Sequence, residues 1–465
     1  MDLFRKKKIS TSIQDESHLE QCLTAFDLTF LGIGAIIGAG IFILTGVVAA
    51  TQAGPAVILS YIVAGLTCFF SAVSYAELAA AIGGCGSAYG YAYVVFGELI
   101  AWIVGWDLLF EYTISVATVA VGWSHYAGDF LTAVKMPIPQ QFLRGPIEGG
   151  ILNTASVFII TLLTGLLIMG VKSTSRVNNL MVTIKLLIVL LFIVIAVTKV
   201  QVVNWSPFMP FGWSGVISGA SLIFFAYVGF DAVSTAAEET TNPQRNLPLG
   251  IIASLIICTI LYIVVAGLLT GIAPYYTLNN ASPISNVLLT LGYKIAAGFI
   301  SFGAVVGLTT AMLAMFYGLT RVLLAMSRDG LLPRIISKTS KVRNTPHRII
   351  LLCGVLMVLL AAFTPIDVLA ELVNVGTLFA FTVVCAGVVY LRYTQPNIHR
   401  PFKAPGMPYI AILGMFGCFY LLIHLPWITL IRFVVWMVSG LIVYVIYSRT
   451  HSVLAVKKLQ KQEVG

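Results

Sequence analysis

Residues 31–42 read LGIGAIIGAGIF, with glycine at 32, 34, 38 and 40 and alanine at 35 and 39. The stretch lies inside an apolar block that begins near Ala25. Each glycine in a helix interior costs about 1 kcal/mol relative to alanine, so this run is a weak point. Backbone leaves the helix at membrane depth only where it is buried in protein or lines a cavity. A break at residues 34–40 exposes N–H groups at one half-helix end and carbonyls at the other, which suit a carboxylate and an ammonium respectively. Two other readings stand beside this one. Gly34 and Gly38 have the GxxxG spacing that lets helices pack closely. The run also resembles a dinucleotide fingerprint, but it lacks the strand–turn–helix context that fingerprint needs.

The rest of the sequence makes a membrane setting unavoidable. Hydrophobic residues make up 59% of the chain and charged residues only 10%, whereas a soluble protein carries roughly a quarter charged. Apolar blocks such as 155–171 and 186–197, with their flanks, match the ~20 residues that cross ~30 Å of hydrocarbon as helix. They lack the ten-residue alternation of an outer-membrane barrel. The first apolar block is too long for a signal-peptide core, so no cleavable leader is expected. Seven cysteines are scattered, most within apolar blocks; that pattern is neither a disulfide framework nor a metal site.

Twelve spans are expected, at about 24–50, 56–82, 98–125, 152–170, 177–198, 214–238, 248–272, 292–327, 348–363, 367–392, 408–424 and 429–448. The eighth is long and should tilt or extend beyond the bilayer. Loops are short, which leaves no separate soluble domain. The nearly uncharged link at 83–97, GGCGSAYGYAYVVFG, reads as an interfacial segment, since tyrosine favours the headgroup zone. The link at 202–213, VVNWSPFMPFGW, suits an ordered outer cap.

The net charge of +9 is explained by its placement. Reading the spans in order puts Arg5 to Lys8, Lys172, Arg176, Arg245, 328–348, 392–403 and 449–461 on one side. The other side receives Lys135, Arg144, Lys199, Lys294 and Arg432. This asymmetry predicts cytoplasmic termini and an inner-membrane protein; the basic excess implies no nucleic acid.

The sixth block contains FFAYVGFD at 224–231, which places Gly229 and the acid Asp231 near mid-membrane. An intramembrane carboxylate is a functional-site hypothesis by default. Spans one and six are corresponding members of two five-helix halves, if the chain is an inverted repeat, and paired interruptions there point to a transporter site. No residue-level match between the halves supports the repeat. Lys185 lies about two turns, ~11 Å, into span five. It either snorkels back to the interface or sits buried as a fixed cation or a proton carrier. Asp107 and Glu111 share one face of span three, with Glu111 the deeper. Glu238 and Glu239 fall near a cytoplasmic gate or loop network. Asp27 and Asp367 read as helix caps, and His125, near an outer helix end, has no metal or catalytic spacing.

Several motifs resemble those of one family: LTAFDLTFLGIGAIIGAGIFILTG at 23–46, AGPAVILSYIVAGL at 53–66, SYAELA at 74–79, FFAYVGFDAVSTAAEETTNPQRNLPLGI at 224–251 and RVLLAMSRDGLLP at 321–333. Over essentially its whole length the chain resembles the amino acid–polyamine–organocation (APC) superfamily, specifically the cationic amino acid transporter family and its bacterial members. The resemblance implies an all-α polytopic membrane protein of about 12 transmembrane helices, a leucine-transporter-like 5+5 inverted repeat with two extra C-terminal helices. Its parts would be a cytoplasmic N-terminal segment at 1–23, repeats at 24–200 and 201–392, the last two helices at 393–448, and a cytoplasmic tail at 449–465.

Carried over by motif, Ala39 and Gly40 would offer N–H groups to a substrate carboxylate. Ile36, Phe225 and Val228 would offer carbonyls to its amine, with the Phe225 ring as a lid. Asp231 matches the acidic position after the second break, and breaks are expected at Gly34, Gly38, Gly40 and Gly229. Lys185 matches a lysine that stands where sodium-coupled relatives hold an ion. Family members often carry Ser or Thr at the position of Ala39, so a hydroxyl is absent here. Glu111 is the deep acid available to a cationic side chain, whereas Met312 and Met315 would make the pocket apolar and adaptable. The expected function is amino acid import by proton symport and alternating access, with exchange of amino acids or polyamines as the alternative and a membrane-embedded enzyme as a remote one. The expected partners are an amino acid, a proton and the bilayer; a small membrane-protein partner is left open, and no cofactor or metal is expected.

Overall fold

The computed structural model describes residues 3–7, 21–38, 40–82, 87–133, 135–136, 138–169, 171–280, 282–337 and 345–456. Ala39, Lys8, Lys461 and residues 83–86 lie outside them, and the side chains of Lys172 and Asp367 are likewise not described. Among the described residues no strand forms, only an isolated parallel bridge between Leu23 and Thr240. That outcome follows from the solvent: in hydrocarbon a spanning backbone must satisfy its own N–H and C=O groups, and a helix does so locally.

The first span is split. Helix α1, Ala25–Ile36, begins at a capping box in which Thr24 and Asp27 exchange hydrogen bonds. Its second half runs through a π-helical turn at Gly40–Leu44, α2 at Thr45–Val48 and another wide turn at Ala49–Ala53. The chain continues through α3 (Val57–Ile82), α4 (Ala88–Val95), α5 (Glu98–Ala133), α6 (Thr154–Met169) and α7 (Val171–Val197). The sixth span is split again, into α8 (Gly212–Ile223), a 3-10 turn at Phe224–Tyr227 and α9 (Ala232–Thr235). Then come α10 (Pro243–Ile272), a short α11 (Pro283–Thr290) that the sequence pattern did not announce, and α12 (Lys294–Arg328). The chain closes with α13 (His347–Phe363), α14 (Ile366–Thr394), α15 (Tyr409–Ile423) and α16 (Trp427–Val443).

Two packed groups emerge. In one, α1 and α3 lie against α10, and α8 lies against α3; in the other, α5 holds α12, α6 and α13. Helix α7 bridges α1 and α12, and α14 bridges α5, α3 and α15. The last helix docks through two indoles: Trp106 Nε1 donates to the Trp436 carbonyl and Trp436 Nε1 to the Trp106 carbonyl, with the rings stacked 4.8 Å apart.

Both described chain ends meet on one face, called here the terminal face. Arg5 donates to the Arg449 carbonyl and pairs with Glu98. Buried Glu98 also accepts from Tyr93, Tyr444 and Ser452. The link at 83–97 differs from expectation. Its described part forms α4, and Tyr89, Tyr91 and Tyr93 are buried in protein rather than placed among headgroups. The reason is hydrogen bonding, since Tyr89 donates to Asp329 and Tyr93 to Glu98. The link at 202–213 is an ordered cap: Gln201 N–H and Asn204 Nδ2 both donate to the Gly271 carbonyl.

A buried ion cluster ties α3 to the end of α14. Arg392 grips both oxygens of Glu77 at 2.8 and 2.6 Å, and Arg400 lies 3.6 Å from Glu77. Removing one member of a buried pair strands its partner, at a cost of about 3 kcal/mol or more. Glu77→Ala is therefore expected to lower the thermal unfolding midpoint of the detergent-solubilised protein clearly; an unchanged midpoint would show that the cluster contributes nothing.

Candidate ligand site at two helix breaks

Helix α1 ends because its backbone turns away after Ile36. Ile37 has ψ of 93°, and its N–H closes the last bond, to the Ile33 carbonyl. The break therefore falls at residues 37–38, and Gly34 is not part of it: Gly34 remains inside the last helical turn. Gly38 lies at the bend, and Gly40 opens the π-helical turn beyond it. Ala39 lies outside the described residues.

The second break is built differently. After the 3-10 turn, Val228 takes ψ of 132° and Gly229 takes φ of +123°. An L side chain rarely adopts that φ, and a Cβ at Gly229 would also come 2.7 Å from Ala35 Cβ. At Gly40 a Cβ would collide with Cα and Cβ of Ala226. The two interrupted spans thus touch backbone to backbone, and glycine is what lets them.

The carbonyls freed by the first break are taken up by Lys185. Its Nζ donates to the carbonyls of Ile33 (3.0 Å), Gly34 (3.0 Å) and Ile37 (2.9 Å), and to Thr310 Oγ1 of α12 (2.9 Å). The side chain is fully buried, so it does not snorkel. The three protons of an ammonium there face four oxygens.

Tyrosine hydroxyls satisfy much of the remainder, and these were not found from the sequence. Tyr262 of α10 has its hydroxyl 2.6 Å from the Ile36 carbonyl and 2.8 Å from the Ala226 carbonyl, bridging the two breaks. Tyr61 of α3 reaches the Gly40 carbonyl and Thr45, and Tyr126 of α5 donates to the Phe42 carbonyl. The rings of Tyr61, Tyr227 and Tyr262 pack together, with centroids 5.2 to 6.3 Å apart. Their signal in the sequence was tyrosine deep inside otherwise apolar blocks, a polar tip that demands a partner when buried.

The acids divide into separate tasks. Asp231 accepts from the Gly229 N–H (3.1 Å) and from the Tyr112 hydroxyl, so it braces its own break against α5. Glu111 accepts from Thr377 of α14 at 2.7 Å, which places it on the α5–α14 contact. Asp107 is as fully buried as Glu111, and neither of its oxygens has a partner among the described residues. Phe225 and Val228 are buried at the second break, where the Phe225 carbonyl accepts the Val228 N–H. Met312 and Met315 are buried on α12, and Ala311 beside Met312 faces Gly38.

Toward the terminal face the same elements are latched. Cys22 and Leu23 N–H both donate to the Glu239 carbonyl, and Thr241 N–H donates to the Leu23 carbonyl. Glu239 pairs with Arg321 at 2.7 Å and accepts from Tyr317, while Glu238 pairs with Arg328 at 3.4 Å. Beside this latch a narrow slot, with about 30 Å³ open to water-sized molecules, runs between α1, α7 and α12, lined among others by Asp27, Leu31, Ser175, Asn178, Ala314 and Tyr317.

The family model described as "Amino acid permease" matches residues 23–448. The chain belongs to the amino acid permease family. The permease is 47% identical to a branched-chain amino acid permease, BcaP, of Bacillus subtilis (strain 168), over 97% of this chain and 99% of the relative. It is also 47% identical to the methylthioribose transporter of the same organism, again over 97% and 99%. With the vacuolar cationic amino acid transporter 4 of Arabidopsis thaliana the identity is 38%, over 82% of this chain and 64% of that protein. The permease is therefore an amino acid transporter of the APC superfamily and not an enzyme.

Losing the Tyr262 hydroxyl strips the link between the breaks while keeping the ring. Tyr262→Phe is expected to destabilise the purified permease by about 1–3 kcal/mol, the cost of an unsatisfied buried group. Thermal unfolding checks this, and an unchanged midpoint would mean the two carbonyls find other donors.

Proposed function

We propose that the permease imports amino acids by proton symport, binding the backbone of its substrate at the two breaks and alternating access around them. The carrying observation is Lys185, whose ammonium occupies an oxygen cage formed by Ile33, Gly34, Ile37 and Thr310. A residue that is a cation when protonated and not when deprotonated can couple proton movement to the contact between α1 and α12. Ala39 and Gly40 are assigned to the substrate carboxylate, and the Ile36, Phe225 and Val228 carbonyls to its amine. The Ile36 carbonyl is shared with Tyr262, so amine binding competes with or adds to that hydroxyl.

The permease takes neutral apolar amino acids in this reading. Phe225 and Val228 are buried at the second break and Met312 and Met315 are buried on α12, and this reading assigns all four to an apolar pocket. Glu111 is engaged by Thr377 of α14 through one of its oxygens. The relatives' names support an amino acid with a branched aliphatic side chain, with methylthioribose and cationic amino acids as the competitors to test.

The architecture assigned is twelve crossings in a 5+5 inverted repeat, at 24–200 and 201–392, with two further helices. Among the described residues eight helical stretches are long and apolar enough to cross a membrane, and the 58-residue stretch Ala25–Ile82 is long enough to do so twice; the three shorter apolar helices are assigned the rest. The terminal face is assigned to the cytoplasm on the strength of its lysines and arginines. The group of α1, α3, α8–α9 and α10 would rock against the group built on α5 and α12.

Two measurements test this. An inward proton gradient across otherwise empty proteoliposomes is expected to drive accumulation of leucine, isoleucine or valine above that of lysine and methylthioribose. Strict dependence on internal substrate would replace symport by exchange. Lys185→Ala is expected to lower gradient-driven uptake at least ~100-fold, the scale of losing a positioned proton carrier, while binding measured by thermal shift persists. Full gradient-driven uptake by that variant would remove Lys185 from the mechanism.

A further inference from the structure

Lys185 is sealed from both faces by its oxygen cage, so a proton carried there needs a way out. A candidate among the described residues is the slot between α1, α7 and α12. Ser175, Asn178, Val182 and Lys185 lie on one face of α7 by helical spacing. Asp27, Leu31 and Gly34 lie on one face of α1 in the same way, and Asp27, Leu31, Ser175 and Asn178 line the slot.

Asn178 is the unexplained residue. It is 3% exposed, and its Oδ1 has no hydrogen-bond partner among the described residues. A buried amide oxygen without a donor is costly, and a bound water is one way to meet that cost. The oxygen faces Gly34, where an added Cβ would come 2.8 Å from Asn178 Oδ1 and 3.2 Å from Val182 Cγ2. On its other side Gly34 presents its carbonyl to Lys185 Nζ at 3.0 Å. One glycine therefore separates the unsatisfied oxygen from the buried ammonium.

The spacing suits a short water bridge. Seven residues of α7 separate Asn178 from Lys185, a rise of about 10 Å. Side chains of a helix lean toward its N-terminus, so the longer lysine side chain extends toward Asn178. The gap left is on the order of one or two waters.

We propose that this slot is the path by which Lys185 releases its proton to the terminal face, with Asn178 Oδ1 holding the water that receives it. The proposal rests on the proton-symport reading above. In the step, an N–H bond of the Lys185 ammonium breaks and its electron pair stays on Nζ. The proton passes to the water at Asn178 and leaves as hydronium along the slot past Asp27. Around Lys185, α1 presents only the carbonyls of Ile33, Gly34 and Ile37, α12 presents Thr310, and α10 presents Cys258 as its titratable group. At the slot, α1 contributes Asp27, held by Thr24 and Asn179, and α12 contributes Tyr317, held by Glu239. Among the described residues no lysine or arginine lines the slot.

The experiment compares two transport modes in the same proteoliposomes. Gradient-driven net uptake requires Lys185 to lose its proton in every cycle. Counterflow of the same labelled amino acid at equal pH on both sides does not. The probes are each of the twenty amino acids for the wild type, then the best of them for Asn178→Leu, Asn178→Ser and Ser175→Leu. Asn178→Leu and the slot-filling Ser175→Leu are expected to slow net uptake about tenfold, part of what positioned proton transfer supplies, and to leave counterflow within about twofold. Asn178→Ser, which keeps an oxygen and leaves room for water, is expected to restore most of the net uptake. Unchanged net uptake in both Leu variants overturns the path. An equal fall of both modes, not rescued by serine, makes Asn178 structural and also overturns it. No gradient-driven uptake by the wild type overturns the symport reading itself, and the path with it.

Discussion

In hydrocarbon a backbone carbonyl without a donor has no water to fall back on. This permease interrupts two spans, so its organisation turns on which groups answer the carbonyls thereby freed. Lys185 answers for the first break, meeting Ile33, Gly34 and Ile37 together with Thr310. Tyr262 answers for both, lying between the Ile36 and Ala226 carbonyls. Because these donors come from α7 and α10, the breaks exist only when those helices are in place. The same contacts make the breaks adjustable, since a donor that withdraws leaves an oxygen ready for another.

The surrounding architecture serves that arrangement. Glycine at 40 and 229 lets the interrupted backbones touch Ala226 and Ala35, where any side chain would collide. Asp231 links the second break to α5 through Tyr112. On the terminal face, the Glu239–Arg321 pair and the hydrogen bonds from Cys22 and Leu23 hold α1, the chain after α9, and α12 together. The clasp of Arg5, Tyr444 and Ser452 on Glu98 ties the chain ends to α5.

Much of this was legible in the residues. Long apolar blocks and the scarcity of charge led to an all-helical membrane protein, because hydrocarbon thickness and backbone satisfaction permit little else. The pairing of glycine-rich stretches in spans one and six located the breaks to within a few residues, since glycine weakens a helix wherever it falls. Gly34 was the exception. Composition could not distinguish a glycine that ends a helix from one that makes room for a neighbour, and Gly34 does the second, beside Asn178 and Val182. Likewise tyrosines 89, 91 and 93 looked interfacial by residue type, yet hydrogen bonds to Asp329 and Glu98 draw Tyr89 and Tyr93 inward.

The sequence by itself determined the class of protein, the location of its two weak points and the presence of a cation deep in span five. Each of these is a local property: hydropathy, helix propensity and position along a span. Which carbonyls the cation meets, which tyrosines bridge the breaks, and that Glu111 turns to Thr377 of α14 were decided only by the tertiary structure. Those are contacts between residues 36 to 276 positions apart, such as Tyr262 with Ala226 or Gly34 with Thr310. A hydrogen bond of that kind depends on how whole helices pack and rotate against one another, and no periodicity along one segment encodes it.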